Sequence, residues 1–134
     1  MCISKEGRCK RKFKMTNPPH VLQMFKERGK SLFGKEKFAD MLNEATKHIL
    51  DDSRCVIVPD ERADGNKSNY IAIFLTDYGG LVAIPVYIDE THINILTLKD
   101  VLQDDNPNWH IKRYNEIGAS RGIGQLPLQF RTPY

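Results

Sequence analysis

Hydrophobic residues fall along this chain in two periods. Between Lys35 and Leu50, Phe38, Met41, Leu42, Ala45 and Ile49 recur three and four residues apart, the spacing that lines one side of an α-helix. From Arg54 onward the runs are short, rich in valine, isoleucine and tyrosine, and separated by turn residues, which predicts strands. Four are expected: Arg54–Val58, Asn69–Thr76, Leu81–Ile88 and Thr91–Leu98. Pro59-Asp60 ends the first, and Glu61–Ser68, with Asp64-Gly65-Asn66 inside it, reads as an exposed loop. Asp77-Tyr78-Gly79-Gly80 and Asp89-Glu90 are connections short enough to force antiparallel neighbours. Pro85 lies inside the third strand and cannot donate to a ladder, so a bulge, or an amide position facing no neighbour, is expected there.

Two further helices follow from start signals. Asn17-Pro18-Pro19 places an amide-accepting side chain before prolines that lose no hydrogen bond in a first turn, predicting a helix over His20–Arg28 that Gly29 ends. Asn106-Pro107 repeats the signal before a helix carrying Trp109, Ile111, Tyr114 and Ile117, with Gly118 or Gly122 as its stop. Trp109 and Tyr114 read as core anchors. The expected fold is α+β: two N-terminal helices, a four-stranded antiparallel β-meander and a C-terminal helix, with the helices on one face of the sheet. The expected organisation is a basic flexible arm over 1–16, one α+β domain over 17–123 and an extended tail over 124–134.

Composition narrows the class. Of 134 residues, 40% are hydrophobic and 28% charged, ordinary values for a folded chain and unlike those of a disordered or collagen-like one. Apolar runs are far shorter than the roughly twenty residues a bilayer requires, so no membrane partner is expected. Cys2, Cys9 and Cys55 are odd in number, and the six residues between the first two are too many for a zinc knuckle, so neither a disulfide framework nor a metal site is expected. They read as reduced intracellular thiols, which suits a cytoplasmic site of action. The net charge of +3 conceals an asymmetry: residues 1–50 carry twelve Lys and Arg against five Asp and Glu, whereas residues 51–134 carry eight against twelve. Much of the excess lies in Met1–Lys14, where six cations face Glu6. That segment is compatible with a solvated tail, a phosphate-binding arm or the end of a domain cut from a larger polypeptide.

No glycine-rich phosphate loop, paired-histidine zinc helix or acidic calcium loop is present, and no cofactor is expected. The carboxylates cluster in turns, where capping explains them. Histidine is the side chain best suited to moving protons near neutral pH. His20 opens the first helix, on the side that also carries Met24 and Arg28, with Lys26 and Lys30 close by. His48 lies near the end of the second helix, where its expected role is to meet the negative helix terminus. In the fourth strand, alternation puts His92 and Asn94 on one face and Ile93 and Ile95 on the other, toward the core. Lys99 follows that strand, and His110 and Arg113 come from the last helix. Cations converging on a sheet surface stabilise phosphate, and a histidine there supports attack by a ribose 2′-hydroxyl.

The order of elements over residues 17–99, the string HVLQMFKERG at His20–Gly29 and the string LVAIPVYIDETHINILT at Leu81–Thr97 together resemble the barnase/EndoU/colicin/RelE-like superfamily of small, often phage-borne toxin ribonucleases. The resemblance implies a metal-independent endoribonuclease with His20, Arg28 and Thr97 as site residues, and an acidic cognate inhibitor as partner beside RNA. With His92 added from the sheet-face reading, the candidate catalytic set is His20, Arg28, His92 and Thr97, and the candidate substrate-binding set is Lys26, Lys30, Lys99, His110 and Arg113. The same charge pattern is also that of a non-catalytic module, binding RNA or a protein in the manner of an immunity factor, or of a structural domain of a larger phage or secreted protein.

Overall fold

A computed structural model describes residues 11–51, 53–61 and 67–120. The readings made above for residues 1–10, for the Asp64-Gly65-Asn66 loop, for Gly122 and for the tail at 124–134 lie outside the described residues. The described part is α+β, built around a mixed sheet.

Strands β1 (Lys12–Met15), β2 (Cys55–Pro59), β3 (Tyr70–Leu75), β4 (Leu81–Ile88) and β5 (His92–Ile95) lie in the order β1-β5-β4-β3-β2, and the short β6 (Lys99–Asp100) pairs with β4 beyond the end of β5. The antiparallel meander of β2 to β5 is as its short connections require. The expected four strands are too few. The basic segment read as a flexible arm supplies β1, parallel to β5 with Lys12 beside His92 and Met15 beside Ile95. Its Phe13 and Met15 alternate with lysines and pack on the core, a two-residue period hidden by the surrounding charge.

Helix α1 (Pro18–Met24) starts as the Asn-Pro signal predicts, with the Asn17 side chain accepting from the His20 amide at 3.4 Å. It does not end at Gly29. The chain continues through a π-helical turn (Phe25–Gly29) into α2 (Lys30–Phe33). The stop is Gly34, at φ 67°, whose amide closes on the Lys30 carbonyl at 2.9 Å. Gly29 serves another purpose: a Cβ there would lie 2.3 Å from Met41 Sδ, so its hydrogen is what lets helix α3 (Phe38–Ile49) approach.

Helices α1 to α3 cover one sheet face, burying Val21, Phe25, Leu32, Phe33, Met41, Ala45 and Ile49 against Ile57, Phe74, Ile84, Val86, Ile93 and Ile95. Helix α4 (Pro107–Ser120) lies on the other face, where Ile111 and Tyr114 pack with Val56, Val58, Ile71, Ile73 and Leu81. This corrects the single helical layer expected from sequence. β2 and β3 are apolar at nearly every position, a pattern that demands cover on both faces. α4 spans only that half of its face, and the half built from β1, β5 and the end of β4 lies beyond it.

Gly29→Ala should destabilise the fold by about 1–3 kcal/mol, because Met41 is fully packed and the new methyl overfills the contact. Urea unfolding monitored by far-ultraviolet circular dichroism measures this; an unchanged midpoint would show that Met41 yields without cost.

Candidate functional site

The site begins with Pro85. On the β5 side of β4, Leu96 donates its amide to the Pro85 carbonyl at 3.1 Å, and proline has no amide to return the bond. The ladder breaks there. Val86 still faces Ile95, but the next pair is Ala83 with Lys99, so three residues, Leu96 to Leu98, lie opposite two on β4. This is a bulge, and a bulge re-aims the side chains and carbonyls of the strand that carries it.

What it presents is Thr97, half-buried, and the Leu98 carbonyl. His20 Nε2 sits 3.1 Å from Thr97 Oγ1, and the Arg28 guanidinium donates to the Leu98 carbonyl at 2.7 Å. In an uninterrupted α-helix residues eight apart diverge by about 80°, and the π turn, by looping in one extra residue, brings Arg28 back into line with His20. Beyond Arg28 opens a cleft of about 140 Å³ lined by Lys99, Asp100, Gln103 and Asp104. Among the described residues the Leu98 carbonyl is the only hydrogen-bond partner of Arg28, which leaves most of its donor fork for an incoming group. A hydrogen bond between His20 and Thr97 fixes the ring in an exposed position, an arrangement suited to passing a proton to or from a bound molecule.

The other residues named from sequence lie elsewhere. His92 is at the far end of β5, about 17 Å along the strand from Thr97; its ring meets the Thr91 hydroxyl at 2.8 Å and its amide donates to Asp89. Those backbone donors hold the Asp89 carboxyl below the usual range. Lys26 lines a separate groove with Pro19, Leu22, Gln23 and Glu27, and Lys30 pairs with Glu36 at 3.1 Å. His110 is sealed inside, 1% exposed, with Nδ1 near the Asn106 carbonyl, so its burial removes it from any substrate surface. Arg113, on α4, is held by Glu61 at 2.9 Å and lies over the Trp109 ring. Asp100, Gln103 and Asp104, which complete the cleft beside Arg28, carried no signal of their own in the sequence.

A second cleft, also of about 140 Å³, is lined by Glu44, Lys47, His48, Asp51, Arg54 and Asp77. His48 does not serve as a charged partner for the helix end. It is 6% exposed, its ring stacks on Phe74 with centroids 4.5 Å apart, and burial, reinforced by the Arg54 charge, pushes its pKa down. Glu44 Oε2 lies 3.8 Å from His48 Nε2; burial raises that carboxyl, and Lys35 only partly opposes it. Arg54 and Asp77 pair at 2.5 Å, which holds Asp77 low. The four-residue spacing of Glu44 and His48 was the available sequence signal for this pair. Among the described residues no group of three or more His, Cys, Asp and Glu is placed to hold a metal, and no helix is long and apolar enough to cross a membrane.

No family model, no curated protein and no solved structure matches the chain.

Pro85→Val returns an amide to β4 and should draw Leu96–Leu98 toward a regular ladder. The expected result is a changed His20 ring environment in the NMR spectrum with the fold retained; an unmoved His20 resonance would show that the bulge does not depend on the proline. His48 gives a pH dependence. Its folded pKa lies below that of the unfolded chain, so the unfolded chain binds the extra proton and stability falls as pH drops through the ordinary imidazole range, about 6.5. Glu44, shifted up, acts in the opposite sense, since its folded form holds a proton more readily. His48→Phe should therefore lose less urea midpoint than the parent between about pH 7.5 and about pH 5.5, and parallel losses would exclude the effect.

Proposed function

We propose that this protein is a metal-independent endoribonuclease, of toxin or phage-effector type, that cleaves RNA by attack of a ribose 2′-hydroxyl on the adjacent phosphate. The observation that carries the reading is the meeting of the exposed His20 with Thr97 beside Arg28, residues 77 and 70 positions apart from their partners, at the bulge. The nucleophile comes from the substrate itself, so the protein must supply only proton transfer and charge stabilisation.

The roles follow from position. His20 accepts the 2′-hydroxyl proton as the 2′-oxygen bonds to phosphorus, and the imidazolium so formed returns a proton to the departing 5′-oxygen, leaving a 2′,3′-cyclic phosphate. Thr97 orients the ring and is a positioning residue. Arg28, anchored through one nitrogen to the Leu98 carbonyl, presents its remaining donors to the phosphate oxygens, with Lys99 beside it. Asp100 and Asp104 set the opposite charge across the cleft and limit how many phosphates it takes. An acidic inhibitor protein that closes over His20, Lys99 and Arg28 would be the natural regulator of such a surface.

Purified protein incubated with total RNA and with transfer RNA in EDTA tests the reading. The parent should cleave; His20→Ala should lose about two to four orders of magnitude, the usual contribution of general acid–base catalysis. Thr97→Val should reduce kcat more than KM and shift the acid limb of the pH profile, whereas Arg28→Lys, which keeps charge but loses the fork, should be impaired at every pH. RNA left intact at high protein concentration would exclude catalysis and leave a binding module.

A further inference from the structure

The half of the sheet that α4 leaves uncovered carries an ordered set of side chains distinct from the His20 site. Tyr87 is the one exposed position of β4, 47% exposed in a strand whose other seven residues are buried. Neighbouring side chains on its face follow from the registers: Tyr87 faces Asn94, Asn94 faces Lys14, and one step along, His92 faces Lys12. The intervening residues, Val86, Ile88, Ile93, Ile95, Phe13 and Met15, pack into the helical layer on the opposite side. Strands are about 4.8 Å apart, so the row from Lys14 to Tyr87 spans about 10 Å.

Its cations lie on β1, with the Asp89-Glu90 turn at the other end of the row of Lys12 and His92. Lys12 and Lys14 are exposed and have no ion-pair partner among the described residues. Asp89, one of two acids in the turn at this end, accepts the amides of Thr91 and His92 on one carboxylate oxygen. Asn94 is buried and gives its amide to the Tyr87 carbonyl at 2.9 Å, which stiffens the strand beneath the exposed ring. An exposed aromatic ring flanked along one edge by cations is complementary to a flexible polyanion with unpaired bases.

We infer that this face is a track for single-stranded RNA, with a base stacked on Tyr87 and successive phosphates on Lys12 and Lys14. Stacking on a side chain requires a base free of its own partner, which selects single strands over duplex. β5 runs on from Asn94 to the bulge that carries Thr97, while His20 belongs to the helical layer on the opposite sheet face. A strand bound on this face reaches the proposed cleavage point by passing round the end of β5, and in this the track rests on the ribonuclease reading.

The experiment is fluorescence anisotropy with a labelled single-stranded RNA and a blunt duplex of equal length, in the His20→Ala background so that binding is read without cleavage. The expected result is a preference for the single strand, about tenfold or greater weakening by Tyr87→Ala, and near-parent affinity for Tyr87→Phe, which keeps the ring. Combined Lys12→Gln and Lys14→Gln should lower the slope of log affinity against log salt by about 1.4, and Tyr78→Ala, on an exposed hairpin, serves as a folded control that should change nothing. Single-strand binding that is indifferent to Tyr87 and to both lysines overturns the track while leaving the ribonuclease reading intact. Binding that depends on them in a parent protein that does not cleave supports the track and removes the catalytic reading. Equal affinity for duplex, or no RNA binding at all, overturns the track.

Discussion

A missing amide hydrogen in the middle of a central strand organises this molecule's edge. β4 is paired on both sides, where every backbone donor is normally used, and Pro85 withholds one. The pairing with β3 loses nothing, because Ile71 and Pro85 face each other at a position where neither strand exchanges amides across the pair. All of the deficit falls on the β5 side, and the chain absorbs it by slipping one residue. The bulge at Leu96–Leu98 is the consequence, and with it the Thr97 hydroxyl and the Leu98 carbonyl turn out of the ladder toward His20 and Arg28.

The helical side answers with a distortion of its own. His20 is tied to the sheet through the start of α1, whose cap is Asn17, and Thr16 still hydrogen-bonds Ile95 at the end of β5. Arg28 reaches the same bulge only because one residue is looped into the helix between them. That π turn is held by its surroundings: Phe25 is fully buried between Phe33 and Phe38, and Gly29 lies against Met41. Helical hydrogen bonds shifted in this way are weaker than the regular pattern and persist where packing over-determines them. Two irregularities, each stabilised from behind by the same apolar core, therefore meet at one point.

How far this was readable in the sequence differs by element. The stripe from Phe38 to Ile49 and the runs of valine and isoleucine declared the α3 helix and the strands, since period and burial coincide in them. β1 was obscured because four cations in Arg11–Lys14 and its neighbours dominate the composition, although Phe13 and Met15 alternate as a strand requires. Gly29 misled in the opposite way: glycine marks a helix end when its φ is positive, but at φ −65° it marks a close approach, and only tertiary structure separates the two. α4 was assigned to the wrong face because the meander pattern alone does not say that β2 and β3 are buried twice. For the site, His20, Arg28 and Thr97 were named from local strings and the structure brings them together, whereas His92, His110 and Arg113 are separated by strand length, burial and an ion pair. Asp100, Gln103 and Asp104 were not separable from ordinary turn residues, because their position depends on the bulge that precedes them.

The exposed edge bears on how the charge at the start of the chain should be understood. An edge strand with free amides invites pairing with another chain, and lysines on its solvent face are a common protection against that. Lys12 and Lys14 satisfy this purpose on β1, and charge alone would need no further explanation. Tyr87 does not fit it. A half-exposed aromatic two strands in from the edge gives no protection against edge pairing, adds apolar surface to solvent, and interrupts a strand that is otherwise buried throughout. Lys14 lies in register with that ring through Asn94, while Lys12 lies in the row of His92, which meets the Asp89 turn. Edge protection accounts for the cations and leaves the ring unexplained, and that unexplained ring is the ground for the base-stacking proposal.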